Sequence, residues 1–356
     1  MSERRVVYVV SEALAKISGL LPSNRGRSTL VHSLASALGS SKEDQRLLSN
    51  NAENAVENGN QADFFGLEDD CPTFPRLPQY AKSIAGATLG AVNILKSDQA
   101  DVCIVWDGGR DIHHAGKSRA SGYCYINDIN LGIISLRRSS PRPRVMYIDL
   151  DLHFGDGVVE AFLGSSTQNP SVLTLSIHHS SPGFFPASPN SELTPLETAT
   201  PFALSIPLYQ GASNVTFSRI WKNYFVVLQC GVDGLAGDPY AIWNWGIDVR
   251  DEGSMGWCIN RSLSWGPKIL LLGGGGYHSP NAARSWSYLT SIACGSPLSL
   301  DLSIPDHSAF PMYAPSFILD VPPGNMTDQN KDAYLRQIEE RFAGLVDRLL
   351  PLCTSS

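Results

Sequence analysis

Runs of almost continuous apolar residues recur along the chain and alternate with stretches whose apolar positions repeat at helical spacing. The runs are VVYVV near the start, then DVCIVW, RVMYIDL, SVLTLSI, FALSIPL, FVVLQC and KILLLGG. A strand apolar on both faces needs cover on both faces, which is the situation of strands in a mainly parallel sheet. Between them the pattern predicts helices over Tyr80 to Leu95, Tyr123 to Arg138, Val158 to Leu163 and Asn281 to Cys294. A further amphipathic helix is expected near the end, in DQNKDAYLRQIEERFAGLVDRLL. Strand and helix in alternation predict an α/β fold, a mainly parallel central β-sheet with helices on both faces. No internal repeat is visible, so residues 1–356 are expected to form a single domain.

Two stretches interrupt this rhythm. Ser40 to Gln61 is polar and rich in Asn, which predicts a mobile surface loop. Ser188 to Pro201 is full of Pro, Ser and Thr and is expected to be an irregular connection.

Composition narrows the partners more than the chemistry. With 356 residues, 43% hydrophobic and 17% charged, the chain is long enough to bury a large core. A formal net charge of -7 argues against gripping phosphate backbones or anionic lipid by bulk charge and favours a basic partner. No direct nucleic-acid binding is therefore expected. No apolar run approaches the roughly 20 residues that span a bilayer. The start, MSERRVVYVVSEAL, lacks a long apolar core and a small-residue cleavage site, so no membrane association and an intracellular setting are expected. Seven cysteines, Cys71, Cys103, Cys124, Cys230, Cys258, Cys294 and Cys353, are odd in number and contain no C-x-x-C pair. They predict buried thiols rather than a disulfide framework or a thiolate metal site.

The chemistry concentrates at strand ends. In Tyr147 to His153, YIDLDLH, alternation puts Asp149, Asp151 and His153 on one face of an apolar strand. Carboxylates side by side on a buried strand repel each other and lose hydration, and a divalent cation is the simplest compensation. A solvated edge strand would alternate in the same way, but the flanking VMYI is too apolar for one. Asp233 follows another apolar run, in VVLQCGVDGLAGDP; alone it reads as a turn residue, as does Asp238 before Pro239. Combined, Asp151, His153 and Asp233 would give two carboxylates and one imidazole, leaving open the coordination position that a catalytic zinc keeps.

His113 and His114 follow the glycine-containing turn DGGRDI. Such a pair can be two metal ligands, two acid/base groups or a surface feature, and spacing does not choose among them. Asp149 and Asp156 would give each histidine an orienting carboxylate. The run KILLLGGGGYH opens a strand into four glycines and Tyr277. It lacks the G-x-G-x-x-G and G-K-[ST] spacings of nucleotide loops. Consecutive glycines let backbone approach a cavity, and a tyrosine hydroxyl can donate to a developing oxyanion.

HHA followed by SRASGYCYINDI, then YIDLDLHFGDGVVEAF, SIHHSSPGFFPASP, VVLQCGVDGLAGDP, LLLGGGGYHSPNAARSW and the IPDH of Ile304 to His307 occur in this order. Together they resemble the class I zinc-dependent histone deacetylases, particularly the Hos-type members, over most of the chain. The resemblance implies hydrolysis of the acetyl amide of N6-acetyl-lysine in histones or other proteins. It assigns one catalytic Zn2+ to Asp151, His153 and Asp233, and the oxyanion to Tyr277. His114 becomes the general base, His113 its electrostatic support, and Asp149 and Asp156 their orienting partners. The acetyl-lysine stem would pass between Tyr123 and Phe185, with the Gly122 backbone accepting its amide proton. Asp70 would grip the substrate backbone at the rim, and Tyr240 would line the mouth. A structural K+ on Asp149, Asp151, His153 and Ser176 is implied too. So are acetylated histone tails or other acetyl-lysine proteins as partners, a corepressor complex, a role in transcriptional repression, and the nucleus as the compartment, with the cytoplasm second.

The chain also departs from the family pattern. Arg110, Asp111 and Ile112 separate the glycine and histidine pairs, where the family has one residue. Ser40 to Gln61 stands where the family has a further strand and helix. The connection from Tyr209 to Phe225 is short, which predicts an abridged helix. Tyr123 and Tyr240 replace other aromatic or aliphatic residues, which implies a mouth of altered width and polarity. A catalytically impaired scaffold acting through partners, or a deacetylase of small acetylated amines, would carry many of the same residues. Related ureohydrolases hold two manganese ions with more carboxylates, so a single metal is expected.

Overall fold

The computed structural model describes residues 4–39, 65–109, 113–141, 143–163, 171–195, 202–221, 227–266 and 268–354, with side chains to residue 348. The Ser40 to Gln61 stretch, the segment 110–112, the end of the Ser188 to Pro201 connection and the Cys353 side chain lie outside the described residues.

Each of the seven apolar runs contains a strand: β1 (Val6–Tyr8), β2 (Val102–Val105), β3 (Val145–Asp149), β4 (Val172–His179), β5 (Ala203–Leu208), β6 (Val227–Gln229) and β7 (Ile269–Leu272). They form one sheet in the order β1-β2-β7-β6-β3-β4-β5, and every neighbouring pair is parallel. Helices cover both faces, as the continuous apolarity of the strands requires. Val145 and Tyr147 point to one face, where they meet α1 (Glu12–Ser18), α3 (Leu77–Lys96), α4 (Asp128–Arg137) and α5 (Asp156–Leu163). Met146 and Ile148 point to the other. That face carries α2 (Arg27–Ala37), α6 (Asn214–Ile220), α7 (Met255–Leu263), α8 (Ser279–Ala293) and α9 (Asp332–Thr354). Ile148 is buried, and truncating such a residue to Ala costs about 2–5 kcal/mol.

Helices α3, α5, α8 and α9 fall where helical spacing predicts them. Helix α4 does not: it begins at Asp128 rather than at Tyr123. Gly122 and Tyr123 both have left-handed backbone, with φ of 58° and 65°. Ser121 and Cys124 exchange their two backbone hydrogen bonds, 3.1 and 2.8 Å, which closes a tight two-residue turn. The Asn127 side chain then accepts from the backbone N–H of Asn130 and caps the helix. The connection after β5 holds a helix of seven residues, α6. Arg219 ties α6 to Glu339 of α9 at 2.9 Å. Cys71, Cys103, Cys124, Cys230 and Cys258 are buried and outside any disulfide, whereas Cys294 is exposed, contrary to expectation. Among the described residues no helix is long and apolar enough to cross a membrane.

The strand order fixes where a site can form. Strands β2 and β3 follow one another in sequence but are separated by β7 and β6. Segments leaving the carboxyl ends of β2, β7, β6 and β3 therefore diverge over a crevice, the usual ligand position in an open α/β sheet.

Candidate active site

Asp151 and His153 lie just past the end of β3, and Asp233 just past the end of β6, its parallel neighbour. Among the described residues these three offer ligand atoms that all lie within 4.8 Å of one another. His153 Nδ1 is 3.3 Å from Asp151 Oδ1 and 3.0 Å from Asp233 Oδ2. The carboxylates are held from outside: Asp151 Oδ2 accepts from Gln229 Nε2 at 3.0 Å and from Gly275 N–H at 2.7 Å. Asp233 Oδ1 accepts from Leu152 N–H at 3.0 Å. Gly275 has to be glycine, because a Cβ there would lie 2.3 Å from Asp233 Oδ2 and 2.8 Å from Asp151 Oδ2.

The charges in this cluster are concentrated. Burial disfavours a cationic His153, but its bonds to Asp151 and Asp233 outweigh it and push the pKa up to about 10. Burial also works against an ionised Asp151, yet His113 and His153 hold that group well below the usual carboxylate range. Burial and then the Asp151 charge push Asp233 up to about 7. A pocket this acidic retains protons that a divalent cation would displace on binding. Two carboxylates and one imidazole, converging over a glycine cradle, fit a catalytic zinc with protein ligands on three sides.

The segment after β2 brings in the histidine pair, which reaches its carboxylates despite the longer spacing from the glycines. His113 Nδ1 donates to Asp149 Oδ2 at 2.8 Å, and His114 Nδ1 donates to Asp156 Oδ1 at 2.7 Å. Asp149 is therefore engaged with His113 and stands outside the metal cluster; its Oδ2 also accepts from Tyr147 at 2.7 Å. Asp156 is the first residue of α5, where the helix N-terminus favours a negative charge. The rings of the two histidines are 4.1 Å apart, yet their environments separate their pKa values. For His113, burial is outweighed by Asp149 and Asp151, and the pKa rises to about 9. For His114, burial and the neighbouring His113 charge prevail over Asp156 and lower the pKa to about 4. At neutral pH one ring is a cation and the other a neutral base, an arrangement suited to acid/base work.

A cavity of about 140 Å³ opens above this group, lined by Asp70, His114, Gly122, Tyr123, His153, Phe185, Tyr240 and Tyr277. His114 is among its walls and His113 is not. The Phe185 ring meets His114 edge-on at 4.8 Å, and Phe184 stacks on His153 at 5.0 Å. Asp70 Oδ2 accepts from Gly122 N–H at 2.7 Å and fixes the turn that presents Tyr123. Tyr277 is reached from β7 through the four glycines, and its backbone N–H donates to Asp238 Oδ2 at 2.6 Å. Of the residues that the sequence singles out for substrate or proton transfer, Asp70, His114, Gly122, Tyr123, Phe185, Tyr240 and Tyr277 share this cavity, while His113, Asp149 and Asp156 lie behind it. Ser176, the remaining candidate, lies opposite Asp149 in the β3–β4 register, with its hydroxyl 3.0 Å from His178 Nδ1.

Residues 28–293 match the family described as histone deacetylase domain. The chain belongs to the class I histone deacetylase family. Histone deacetylase 8 of Xenopus laevis is 37% identical over 297 residues, covering 80% of this chain and 87% of that protein. Histone deacetylase 8 of Danio rerio is 34% identical over 373 residues, covering 96% and 95%. Human histone deacetylase 1 is 34% identical over 311 residues, covering 84% and 61%. As a histone deacetylase the chain is a hydrolase of a zinc-dependent family whose reaction is deacetylation of acetyl-lysine.

Several residues that build this deacetylase site escape sequence reasoning. Tyr147 lies two positions before Asp149, so the alternation that flags Asp149 and Asp151 could have flagged it. Gln229, a polar residue in an otherwise apolar strand, carried a similar signal. Asp107 carried almost none: its carboxylate joins Ser28 at 2.9 Å and His32 at 2.8 Å, and His32 in turn meets Tyr8 at 2.8 Å. That buried network pins α2 and β1 to the turn leading toward the histidine pair.

Proposed function

We propose that this chain hydrolyses the acetyl amide of N6-acetyl-lysine in histone tails or other proteins, using one zinc ion held by Asp151, His153 and Asp233. The observation that carries the reading is the convergence of those three side chains beside a neutral histidine that lines the cavity. Zinc, when bound, supplies Lewis-acid polarisation of the amide carbonyl and acidification of water.

The chain's own residues do the rest. His114 takes the proton of the attacking water at Nε2, since Nδ1 is committed to Asp156. The same bond fixes the tautomer and stabilises the imidazolium that forms. His114 then returns the proton to the departing amine, so that lysine leaves with acetate. His113, cationic beside it, supports the developing negative charge. The Tyr277 hydroxyl donates to the oxyanion, a contribution of about 3 kcal/mol for a single donor of this kind. Tyr123 and Phe185 flank the methylene stem, Gly122 accepts the amide N–H, Tyr240 lines the mouth, and Asp70 holds the substrate backbone at the rim.

A structural potassium ion on Asp149, Asp151, His153 and Ser176 belongs to the same reading; the register of Asp149 with Ser176 across β3 and β4 supports the first and last of these ligands. We take the whole chain as one catalytic domain that works in the nucleus, within a corepressor complex that represses transcription, with the cytoplasm as a second location. The net charge of -7 suits basic histone tails.

The test is acetate release from an acetyl-lysine peptide and from an acetylated diamine, with chelator, without it, and with zinc restored. Zinc-dependent turnover of the peptide is expected. A folded, zinc-loaded protein that turns over neither compound would instead be a scaffold, and one that prefers the diamine would be an amine deacetylase.

A further inference from the structure

Two segments face each other across the mouth of the cavity and meet through phenols: the hydroxyls of Tyr123 and Tyr240 lie 3.1 Å apart. The backbone of each tyrosine is anchored. Tyr123 sits on left-handed backbone, φ 65°, which a residue with a side chain adopts only where its surroundings enforce it. Here the Ser121–Cys124 backbone pair and the Asp70 bond to Gly122 enforce it. Tyr240 is placed by Asp238, whose Oδ1 accepts its backbone N–H at 3.1 Å, while Oδ2 of the same carboxylate accepts from Tyr277. Tyr277 in turn packs edge-on against Tyr240 at 4.8 Å and tilted against Tyr123 at 5.7 Å. Three phenol rings thus form one connected wall, and the hydroxyl pair closes it.

We propose that the Tyr123–Tyr240 hydroxyl pair is a clasp that sets the width of the mouth and thereby selects the acyl group that enters. An acetyl group on an unbranched stem passes the closed clasp, whereas an acyl group branched beside its carbonyl, such as isobutyryl, requires it to part. The hydrogen bond rather than ring bulk holds the width. Tyr240 is 42% exposed, so without the bond its ring has room to swing toward solvent. The inference rests on the proposed entry of the acylated lysine through this cavity.

The experiment compares one peptide carrying N6-acetyl-lysine or N6-isobutyryl-lysine, on zinc-loaded wild type, Tyr123→Phe, Tyr240→Phe and the double variant. Both kcat/KM and peptide affinity by fluorescence anisotropy are read. Each single variant is expected to raise the isobutyryl-to-acetyl ratio about threefold to tenfold, the scale of one neutral hydrogen bond. The double variant is expected to raise it no further, because either substitution already breaks the shared bond. Additive effects, or ratios equal to wild type alongside normal acetyl turnover, would overturn the clasp and leave the deacetylase reading intact. Folded wild type that neither binds nor hydrolyses either peptide would overturn both.

Discussion

Nδ1 of His114 and Oδ1 of Asp156 lie 2.7 Å apart, and that bond decides which ring nitrogen of His114 can exchange a proton with the cavity. Replacing Asp156 by Asn leaves the ring without a charged partner for Nδ1–H. Asp156→Asn is expected to lower kcat/KM by about 10- to 100-fold, as losses of orienting partners do, with zinc content retained. Zinc lost in step with the rate would move Asp156 from proton transfer to metal binding.

Tyr277 reaches the cavity at the end of four glycines, with its backbone anchored on Asp238. If its hydroxyl meets the oxyanion only as that charge develops, the loss should fall on kcat. Tyr277→Phe is expected to reduce kcat by about 10²- to 10³-fold, the cost of one oxyanion donor. Steady-state kinetics with a metal assay check this, and a rise in KM alone would mean that the hydroxyl only binds substrate.

Gly275 tests the proposed metal cluster without replacing a ligand. A Cβ at this position would lie 2.3 Å from Asp233 Oδ2 and 2.8 Å from Asp151 Oδ2, so the two carboxylates would have to move apart. Gly275→Ala is expected to lose most of its zinc while keeping its circular dichroism spectrum. Full zinc occupancy in that variant would show that the metal is held elsewhere.

Asp128 provides a dependence on pH away from the metal. Burial pushes its pKa up to about 7, against the bonds it receives from Thr88 and from the backbone of Gly109. The group binds its proton more tightly in the folded state, so its stabilising contribution is complete below the ordinary value of 3.8 and is lost as pH rises through about 7. Asp128→Asn removes that titration. Urea unfolding at pH 5 and pH 8 should find wild type losing stability relative to the variant as pH rises; a constant difference would mean that Asp128 is ionised throughout.

Asp151 and His153 were visible because alternation along the sequence is a local property, although β3 ends at Asp149 and both lie past it rather than on its face. Asp233 was visible only in combination: a single Asp before glycine at a strand end looks like a turn, and its placement past the end of β6, the neighbour of β3, brings it to Asp151 and His153. The start of α4 is not legible in the sequence for a related reason. Apolar spacing continues smoothly through Tyr123, while the left-handed turn there is set by contacts with Asp70 and Cys124.

The amino-acid sequence by itself determined the seven strands and the layered α/β arrangement and picked out the candidate chemical residues, because strands covered on both faces must be apolar throughout and ionisable groups stand out against them. Tertiary structure alone decided that His114 lines the cavity while His113 stays behind it, that burial lowers the pKa of one while Asp149 and Asp151 raise that of the other, and that Tyr123 touches Tyr240 from 117 residues away. Those outcomes depend on burial and on the distances between charges and hydroxyls, quantities that arise only when strand ends far apart in the chain are brought over the same crevice.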